Sequence, residues 1–144
     1  MNILITGAAG FMGSHVAKYL SVKGLHRIVC LDRAGGIHES CGLIRSIDLA
    51  NKHDLEQLFK SEQFEAVIHL AAMTNPGEAL SNPTFCYMSN VSNTISLTQL
   101  CIRYGVSKFI YASTAAVYGV QEYGLSPEDS TPKPTNPYSR SKVM

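Results

Sequence analysis

Charge is scarce in this sequence, and the basic residues that it has are scattered. Charged residues make up 16% of the 144 positions and the net charge is +1, so no basic stripe indicates nucleic-acid binding. The 45% apolar content is that of a soluble globular domain and excludes a disordered chain. No apolar run approaches membrane-spanning length, and no charged segment precedes the apolar residues 3–5. We therefore expect a cytoplasmic protein without a membrane partner.

Cysteine and histidine patterns that would hold a metal are also missing. The four cysteines have no Cys-x-x-Cys spacing, and the five histidines do not cluster. We expect Cys30 in the core, Cys86 and Cys101 in helix packing, and His69 as a partly buried strand residue. Neither a disulfide nor a metal site is predicted for these residues or for Cys41.

Short apolar runs alternate with helical patterns along the chain. The runs at residues 3–5, 28–31, 43–47, 66–70 and 108–113 predict five strands, separated mainly by helices. Strands of nearly continuous apolar residues are typical of a parallel sheet covered on both faces. Right-handed crossovers leave few arrangements. We predict one doubly wound, Rossmann-like α/β domain over residues 1–144 with the strand order 3-2-1-4-5.

One long helix, residues 82–104, is predicted to be buried on two sides. Asn82-Pro83 is a typical start, and Gly105 follows its last residue. Leu97, Leu100, Cys101 and Tyr104 form one apolar stripe, and Val91, Ile95 and Ile102 form another. One side belongs on the sheet. The other is expected to meet either a loop or a second subunit of a homodimer.

A glycine-rich loop lies between the first strand and the first helix, Gly7-Ala8-Ala9-Gly10-Phe11-Met12-Gly13. Gly7 permits a tight turn, Gly10 lets the backbone approach a pyrophosphate, and Gly13 permits close packing of helix on strand. Free N–H groups at the helix start attract the phosphates. The spacing is GxxGxxG where the general fingerprint is GxGxxG, and with the strand and helix around it we predict a dinucleotide site.

Acidic residues at the ends of the second and third strands are suited to the adenosine part of such a cofactor. Asp32 could accept the ribose hydroxyls and would repel the extra phosphate of NADP, so NAD is preferred. NADP stays an alternative because Arg33 could receive that phosphate. Asp48, with Leu49, could contact the adenine, or Asp48 could instead be a helix cap or a solvated loop residue.

A tyrosine and a lysine stand four residues apart near the last printed position, in Tyr138-Ser139-Arg140-Ser141-Lys142. That spacing places both on one face of a helix, where the ammonium favours the phenolate form of the tyrosine. Such a pair is suited to removing the proton from an alcohol.

With these features together, the chain resembles the extended short-chain dehydrogenase/reductase family, in particular its NAD-dependent epimerase/dehydratase branch. Residues 6–13 match the family's cofactor loop, including the backbone of Ala9, Phe11 and Met12. Asp48-Leu49 matches its adenine-contact pair. The resemblance also implies that the segment Leu70-Ala71-Ala72 passes the cofactor.

The resemblance assigns roles to residues of the second half as well. Asn90 matches a helix asparagine with a structural and relay role beside the cofactor, and Thr114 takes the catalytic Ser/Thr place. Tyr138 would be the base and, like Lys142, a cofactor contact, while Lys142 would hold the ribose and assist the tyrosine. The implied reaction is reversible oxidation of a sugar carbon of a nucleotide-sugar by hydride transfer to NAD.

Two alanines indicate which reaction of the family is expected. Dehydratases of this group place an acidic residue shortly after the catalytic Thr/Ser, whereas Ala115 and Ala116 cannot transfer a proton. This favours epimerisation or simple reduction over dehydration. The chain stops inside the expected Tyr-x-x-x-Lys helix, before the family's C-terminal strands and substrate domain, so we expect cofactor binding with negligible turnover as the alternative.

Overall fold

The computed structural model describes residues 1–39, 42–120 and 126–144, so Cys41 lies outside the described residues. The strands are β1 (Asn2–Thr6), β2 (Arg27–Asp32), β3 (Gly36–His38), β4 (Gly42–Ser46), β5 (Ala66–His69) and β6 (Lys108–Tyr111). The helices are α1 (Phe11–Lys23), α2 (Lys52–Ser61), α3 (Pro76–Ser81), α4 (Pro83–Tyr87), α5 (Asn93–Arg103) and α6 (Pro137–Ser141). No helix in these three ranges is long and apolar enough to cross a membrane.

The strands form one sheet in the order β3-β4-β2-β1-β5-β6. All neighbours are parallel except β3 and β4, which are antiparallel. Without β3, the order is third, second, first, fourth and fifth, which confirms the predicted arrangement. Each parallel connection contains a crossover, as parallel pairing requires.

Both faces of the sheet carry a hydrophobic core because successive strand residues point to opposite sides. Leu4, Val29 and Val67 belong to one cluster, which also holds the buried residues of α2 and α5. Ile3, Ile5 and Cys30 belong to the other, which also holds Ala17 of α1. This double burial explains why the strands are nearly continuous apolar runs in the sequence.

Two compact units divide the chain. The first consists of residues 1–71 and 95–112 and contains the whole sheet with α1, α2 and α5 from Ile95 onwards. The second consists of residues 72–94 and 113–144 and contains α3, α4 and α6. The assignment of residues 1–144 to a single cofactor-binding domain stays a prediction.

The predicted helix over residues 82–104 is confirmed as an unbroken helical run from Pro83 to Arg103, with one irregularity that was not predicted. It begins at Pro83 as expected, with the Asn82 side chain accepting a hydrogen bond from the Phe85 N–H. A π-helical turn, Met88–Ser92, then separates α4 from α5. Such a turn accommodates one extra residue, which the spacing of apolar residues does not encode, and π-turns are frequent at functional sites.

Three short elements were missed, and one of them is the 3₁₀ turn Ala115–Tyr118. Asn75-Pro76 starts α3 in the same way that Asn82-Pro83 starts α4, and the side-chain Oδ1 of Asn75 accepts from the N–H groups of Gly77 and Glu78. That signal was present in the sequence. The edge strand β3 has only three residues, too few for any periodic pattern.

The two stripes of the long helical segment differ in exposure. Leu97, Leu100 and Cys101 are buried in the core, which confirms that one side packs on the sheet. Ile95 and Ile102 on the opposite side are 51% and 81% exposed. Within the described residues of the first unit, Ile95 and Ile102 therefore have no packing partner that would bury them, whereas Val91 of the same stripe is half-buried.

A buried carboxylate ties the end of α2 to two strands. Glu62 is 6% exposed, and its oxygens lie 2.8 Å from Arg27 Nη1 and 2.6 Å from Arg45 Nη2. Both guanidinium groups remain partly exposed, so their desolvation cost is limited. Glu65 is a useful comparison because it bonds to the Asn2 N–H but is 57% exposed.

We expect Glu62→Gln to lower the free energy of unfolding by about 1–3 kcal/mol, because two arginines lose their charged partner. Glu65→Gln is the matched control and should cost less than about 1 kcal/mol. Urea unfolding monitored by circular dichroism measures both. Equal losses for the two variants would contradict the role assigned to Glu62.

Candidate functional site

The backbone of the glycine loop packs directly against other backbone atoms, which leaves no room for a side chain at two positions. Gly7 has φ +73°, and a Cβ built there would lie 2.6 Å from the Ala71 backbone nitrogen. A Cβ on Gly13 would overlap the Gly7 carbonyl oxygen. The predicted tight turn at Gly7 is confirmed, and Gly13 brings α1 against the loop itself.

The start of α1 differs from the other helix starts. Asparagine side chains cap α2, α3, α4 and α6, at Asn51, Asn75, Asn82 and Asn136. The N-cap of α1 is Gly10, which has no side chain to accept a bond from the first-turn N–H groups. Those groups at Phe11, Met12 and Gly13 lack an intrahelical acceptor by their position. This helix start is therefore suited to an anion from outside the helix.

Asp32 lies directly beside the loop. Its Oδ2 accepts from the Ala9 N–H at 3.1 Å and its Oδ1 from the Ala34 N–H at 3.1 Å. A carboxylate oxygen has more than one acceptor direction, so both remain able to accept from a ribose hydroxyl. The neighbouring Arg33 is exposed.

A buried polar pair joins the ends of β1 and β5. Thr6 Oγ1 and His69 Nδ1 lie 2.7 Å apart, and Thr6 Oγ1 also accepts from the Ala71 N–H at 3.3 Å. His69 is 1% exposed, so it is more deeply buried than predicted. The pair fixes the segment that leaves β5 through Leu70 and Ala71, which the resemblance places along the cofactor. Ala72 is the next residue and begins the second unit.

Asp48 and Leu49 lie in the turn before α2. The Asp48 carboxylate accepts from the Ala50 N–H at 2.8 Å, and the cap of α2 is Asn51. The helix-cap alternative for Asp48 was therefore wrong, whereas Asp48 is an exposed loop residue. Leu49 is 7% exposed and belongs to the core. The adenine contact stays a prediction.

In the second unit, Thr114 caps a 3₁₀ turn formed by Ala115–Tyr118. Its Oγ1 accepts from the Ala116 N–H at 3.3 Å. That bond uses an acceptor position, and the hydroxyl hydrogen is still able to donate. Thr114 is half-buried, as a residue that meets a reacting oxygen would need to be.

Tyr138 lies in the first turn of α6, and Lys142 is its C-cap residue. Asn136 and Ser139 close a reciprocal capping box at the helix start. Lys142 is 8% exposed, and this burial lowers its pKa to about 8, while the Cys86 thiol has an opposing effect. The ammonium form still predominates at neutral pH because a pKa of about 8 lies above 7.

Asn90 lies in the π-turn and is 1% exposed. Its Oδ1 accepts from the Met73 N–H at 2.8 Å, and its Nδ2 donates to the Met73 carbonyl at 2.9 Å and to Ser141 Oγ at 2.9 Å. Asn90 therefore links the segment after β5 to the helix of Tyr138 and Lys142. A structural role agrees with these bonds, and contact with a cofactor stays a prediction.

Sequence reasoning missed Ser141. It was quoted only as an intervening residue of the Tyr138–Lys142 motif, yet it is 2% exposed and bonded to Asn90. A serine three residues after a helical carbonyl often donates to it, which was the available signal. Its second partner, Asn90, lies 51 positions away and no local pattern predicts it.

The predicted residues thus assemble in two groups. The first unit gathers the glycine loop, Asp32 and the segment through Ala71, and the second gathers Asn90, Thr114 and the helix of Tyr138 and Lys142. No group of three or more His, Cys, Asp or Glu side chains in the described ranges could hold a metal ion.

The parallel sheet, the glycine loop after β1 and the acidic end of β2 define a doubly wound dinucleotide-binding protein. The model of the NAD dependent epimerase/dehydratase family matches residues 3–144, and the chain belongs to that family. The resemblance drawn from the motifs is confirmed.

Several relatives are similar over the whole of this chain. UDP-glucose 4-epimerase 1 of Oryza sativa subsp. japonica is 35% identical over 157 aligned positions, which cover 99% of this chain and 44% of the relative. The UDP-Glc/GlcNAc 4-epimerase structure from Campylobacter jejuni is 36% identical, with a TM-score of 0.90 over 99% of this chain and 46% of that one.

A UDP-glucose 4-epimerase of Thermus thermophilus, solved in complex with NAD, is 34% identical. Its TM-score is 0.91, and the match covers 99% of this chain and 48% of that structure. The chain therefore spans about half the length of the relatives that it matches.

We expect Gly13→Ala to lower the free energy of unfolding by about 3 kcal/mol or more, because the added Cβ collides with the Gly7 carbonyl. Gly10→Ala is the matched control. Gly10 has φ −74° and its built Cβ lies 3.2 Å from the same oxygen, so a cost of about 1 kcal/mol is expected. Thermal and urea unfolding compare the two, and a milder effect at Gly13 would overturn this account.

Proposed function

We propose that this chain binds NAD and is the cofactor-binding part of a nucleotide-sugar epimerase. The observation that carries the proposal is the start of α1, which replaces the asparagine cap of four other helices with a close-packed glycine loop. A pyrophosphate would provide the acceptor atoms that a side chain provides elsewhere. The residues therefore fit a dinucleotide.

Asp32 supports NAD over NADP. Its carboxylate is oriented by two backbone N–H groups and is half-buried, so it presents a fixed negative charge at the end of β2. The ribose hydroxyls of NAD would donate to it, whereas a 2′-phosphate would be repelled. The NAD complex of the Thermus thermophilus relative agrees with this preference.

The second unit would supply the proton transfer. Bound NAD supplies the acceptor for the hydride. Tyr138 would take the hydroxyl proton of the sugar, and the Lys142 ammonium would attract the charge that develops on the tyrosine oxygen. Thr114, with its hydroxyl hydrogen still able to donate, would bond to the reacting oxygen. Ala115 and Ala116 provide no further proton donor, which favours epimerisation or reduction over dehydration.

A UDP-sugar is the substrate class that we propose, because the relatives are UDP-glucose 4-epimerases. A dinucleotide-binding module without turnover is the second candidate, and the favouring observation is that the first unit by itself contains the glycine loop and Asp32. Epimerisation of UDP-glucose at C4 by the 144-residue chain with NAD would reject the second candidate. Saturable NAD binding without any epimerisation agrees with both candidates, because a cofactor-binding part need not turn over by itself.

NAD binding is the first prediction of this proposal. Titration calorimetry should show saturable heat with NAD and weaker binding of NADP. Asp32→Asn should weaken NAD binding about tenfold, because charge-assisted hydrogen bonds to the ribose are lost. Tyr138→Phe is the control and should stay within about threefold of the parent chain, because the phenol acts on the substrate.

The absence of saturable heat with both NAD and NADP would reject cofactor binding. A large loss of NAD affinity in Tyr138→Phe would instead contradict the role proposed for that residue, while leaving the assignment of Asp32 intact.

A homodimer through α5 is the partner that we propose. Ile95 and Ile102 are exposed one above the other on α5, and such apolar stripes mark interaction surfaces. Ile102→Glu should dissociate the dimer in sedimentation velocity experiments. Ile37→Glu, at a residue that is 89% exposed on β3, is the matched control and should leave it associated. A monomeric parent chain would reject this interface.

A further inference from the structure

We propose that Ser141 is a positioning residue for the Tyr138–Lys142 pair, acting through a hydrogen-bonded bridge between Asn90 and the backbone of Tyr138. The inference rests on the proposed function for the roles of Tyr138 and Lys142. The bridge itself is a matter of geometry within the second unit.

The hydroxyl of Ser141 makes two close hydrogen bonds at once, and Cys86 Sγ lies 4.0 Å from its oxygen. It donates to the Tyr138 carbonyl oxygen at 2.7 Å and accepts from Asn90 Nδ2 at 2.9 Å. A serine hydroxyl has one donor hydrogen and two acceptor positions, so both bonds form without competition. Because Ser141 is 2% exposed, water cannot easily replace either partner.

Asn90 has a determined orientation at the other end of the bridge. Its Oδ1 accepts from the Met73 N–H and its Nδ2 donates to the Met73 carbonyl. An amide flip would oppose N–H to N–H and oxygen to oxygen, so these two bonds fix the amide. The second Nδ2 hydrogen is then directed to Ser141. The Nδ2 atom also lies 3.7 Å from the Cys86 sulfur.

The helix that this bridge holds is too short to be stable on its own. Helix α6 has five residues, and an isolated helix of that length is unstable in water. The capping box of Asn136 and Ser139 secures its first turn, whereas Ser141 secures the last turn, directly before Lys142. We infer that the Ser141 bridge sets the depth at which Lys142 is buried.

Titration of Lys142 tests the inference. In ¹³C-lysine-labelled chain, with Lys142→Arg assigning the resonance, the parent Lys142 should titrate near pH 8. Ser141→Ala should raise that pKa by about one unit or more towards the ordinary 10.5, because water reaches the loosened ammonium. Cys86 on α4 is the titratable neighbour whose charge acts on Lys142, and its ionisation is fitted in the same series.

Ser139→Ala is the matched control, because it also removes a buried serine hydroxyl from α6 but leaves Asn90 untouched. Both variants should unfold at lower urea concentration. Only Ser141→Ala should shift the Lys142 titration and speed exchange of the Asn90 side-chain amide hydrogens by about tenfold. If the alanine chain does not fold, Ser141→Cys keeps the volume, replaces the oxygen, and should shift the titration in the same direction; it is measured with a reductant, and the new thiol is fitted together with Cys86, because Cys86 Sγ lies 4.0 Å from the Ser141 oxygen.

A folded Ser141→Ala or Ser141→Cys chain with the parent Lys142 titration would overturn the inference. The same shift in Ser139→Ala would also overturn it, since the effect would then be general loosening of α6. These measurements need neither NAD nor turnover, so their failure is distinct from failure of the proposed function.

Discussion

Backbone-to-backbone contact around the glycine loop is the constraint on which the first unit depends. The Gly7 carbonyl occupies the space that a Cβ of Gly13 would need, and the Gly7 Cα faces the Ala71 backbone. Strand β1, the start of α1 and the chain leaving β5 therefore approach more closely than side chains would allow. Close approach directs the first-turn N–H groups of α1 to the carboxyl ends of β1 and β5, where parallel sheets bind ligands.

The two hydrophobic cores of the first unit also depend on that backbone contact. With α1 seated on the loop, Ala17 closes over Ile3 and Ile5 on one face of the sheet, and α2 and α5 cover Leu4 and Val67 on the other. Two of the buried polar groups in this packing are paired, Thr6 with His69 and Glu62 with two arginines. Pairing offsets the desolvation that burial imposes on them.

The second unit is organised by polar bonds more than by an apolar core. Asn90, Ser139, Ser141 and Lys142 are all buried there, together with Cys86. The π-turn that places Asn90 between Met73 and Ser141 is an irregularity of a long helix, and the asparagine amide satisfies backbone groups of a segment without regular structure. Such a network holds a short helix in one position because each lost bond leaves a buried group unpaired.

Much of the fold could be predicted because buried segments are made of apolar residues, which are visible in the sequence. Strands buried on both faces are apolar throughout, helix α1 begins within the glycine-rich segment at Phe11, and Asp32 is the last residue of its strand. The elements that were not predicted are short or irregular. Strand β3 has three residues, the π-turn interrupts a helix whose apolar spacing continues, and α3 was missed although its Asn-Pro start was visible.

Local spacing and crossover geometry were enough to specify the α/β class, the order of the five parallel strands and the glycine loop, and the motifs together supported the resemblance to the family. Three further features became visible in the folded chain alone: Ser141 meets Asn90, Lys142 is buried and Ile102 is exposed. The physical reason is that burial and pairing depend on which distant segments meet, and the 51 positions between Asn90 and Ser141 contain no periodic signal of that meeting.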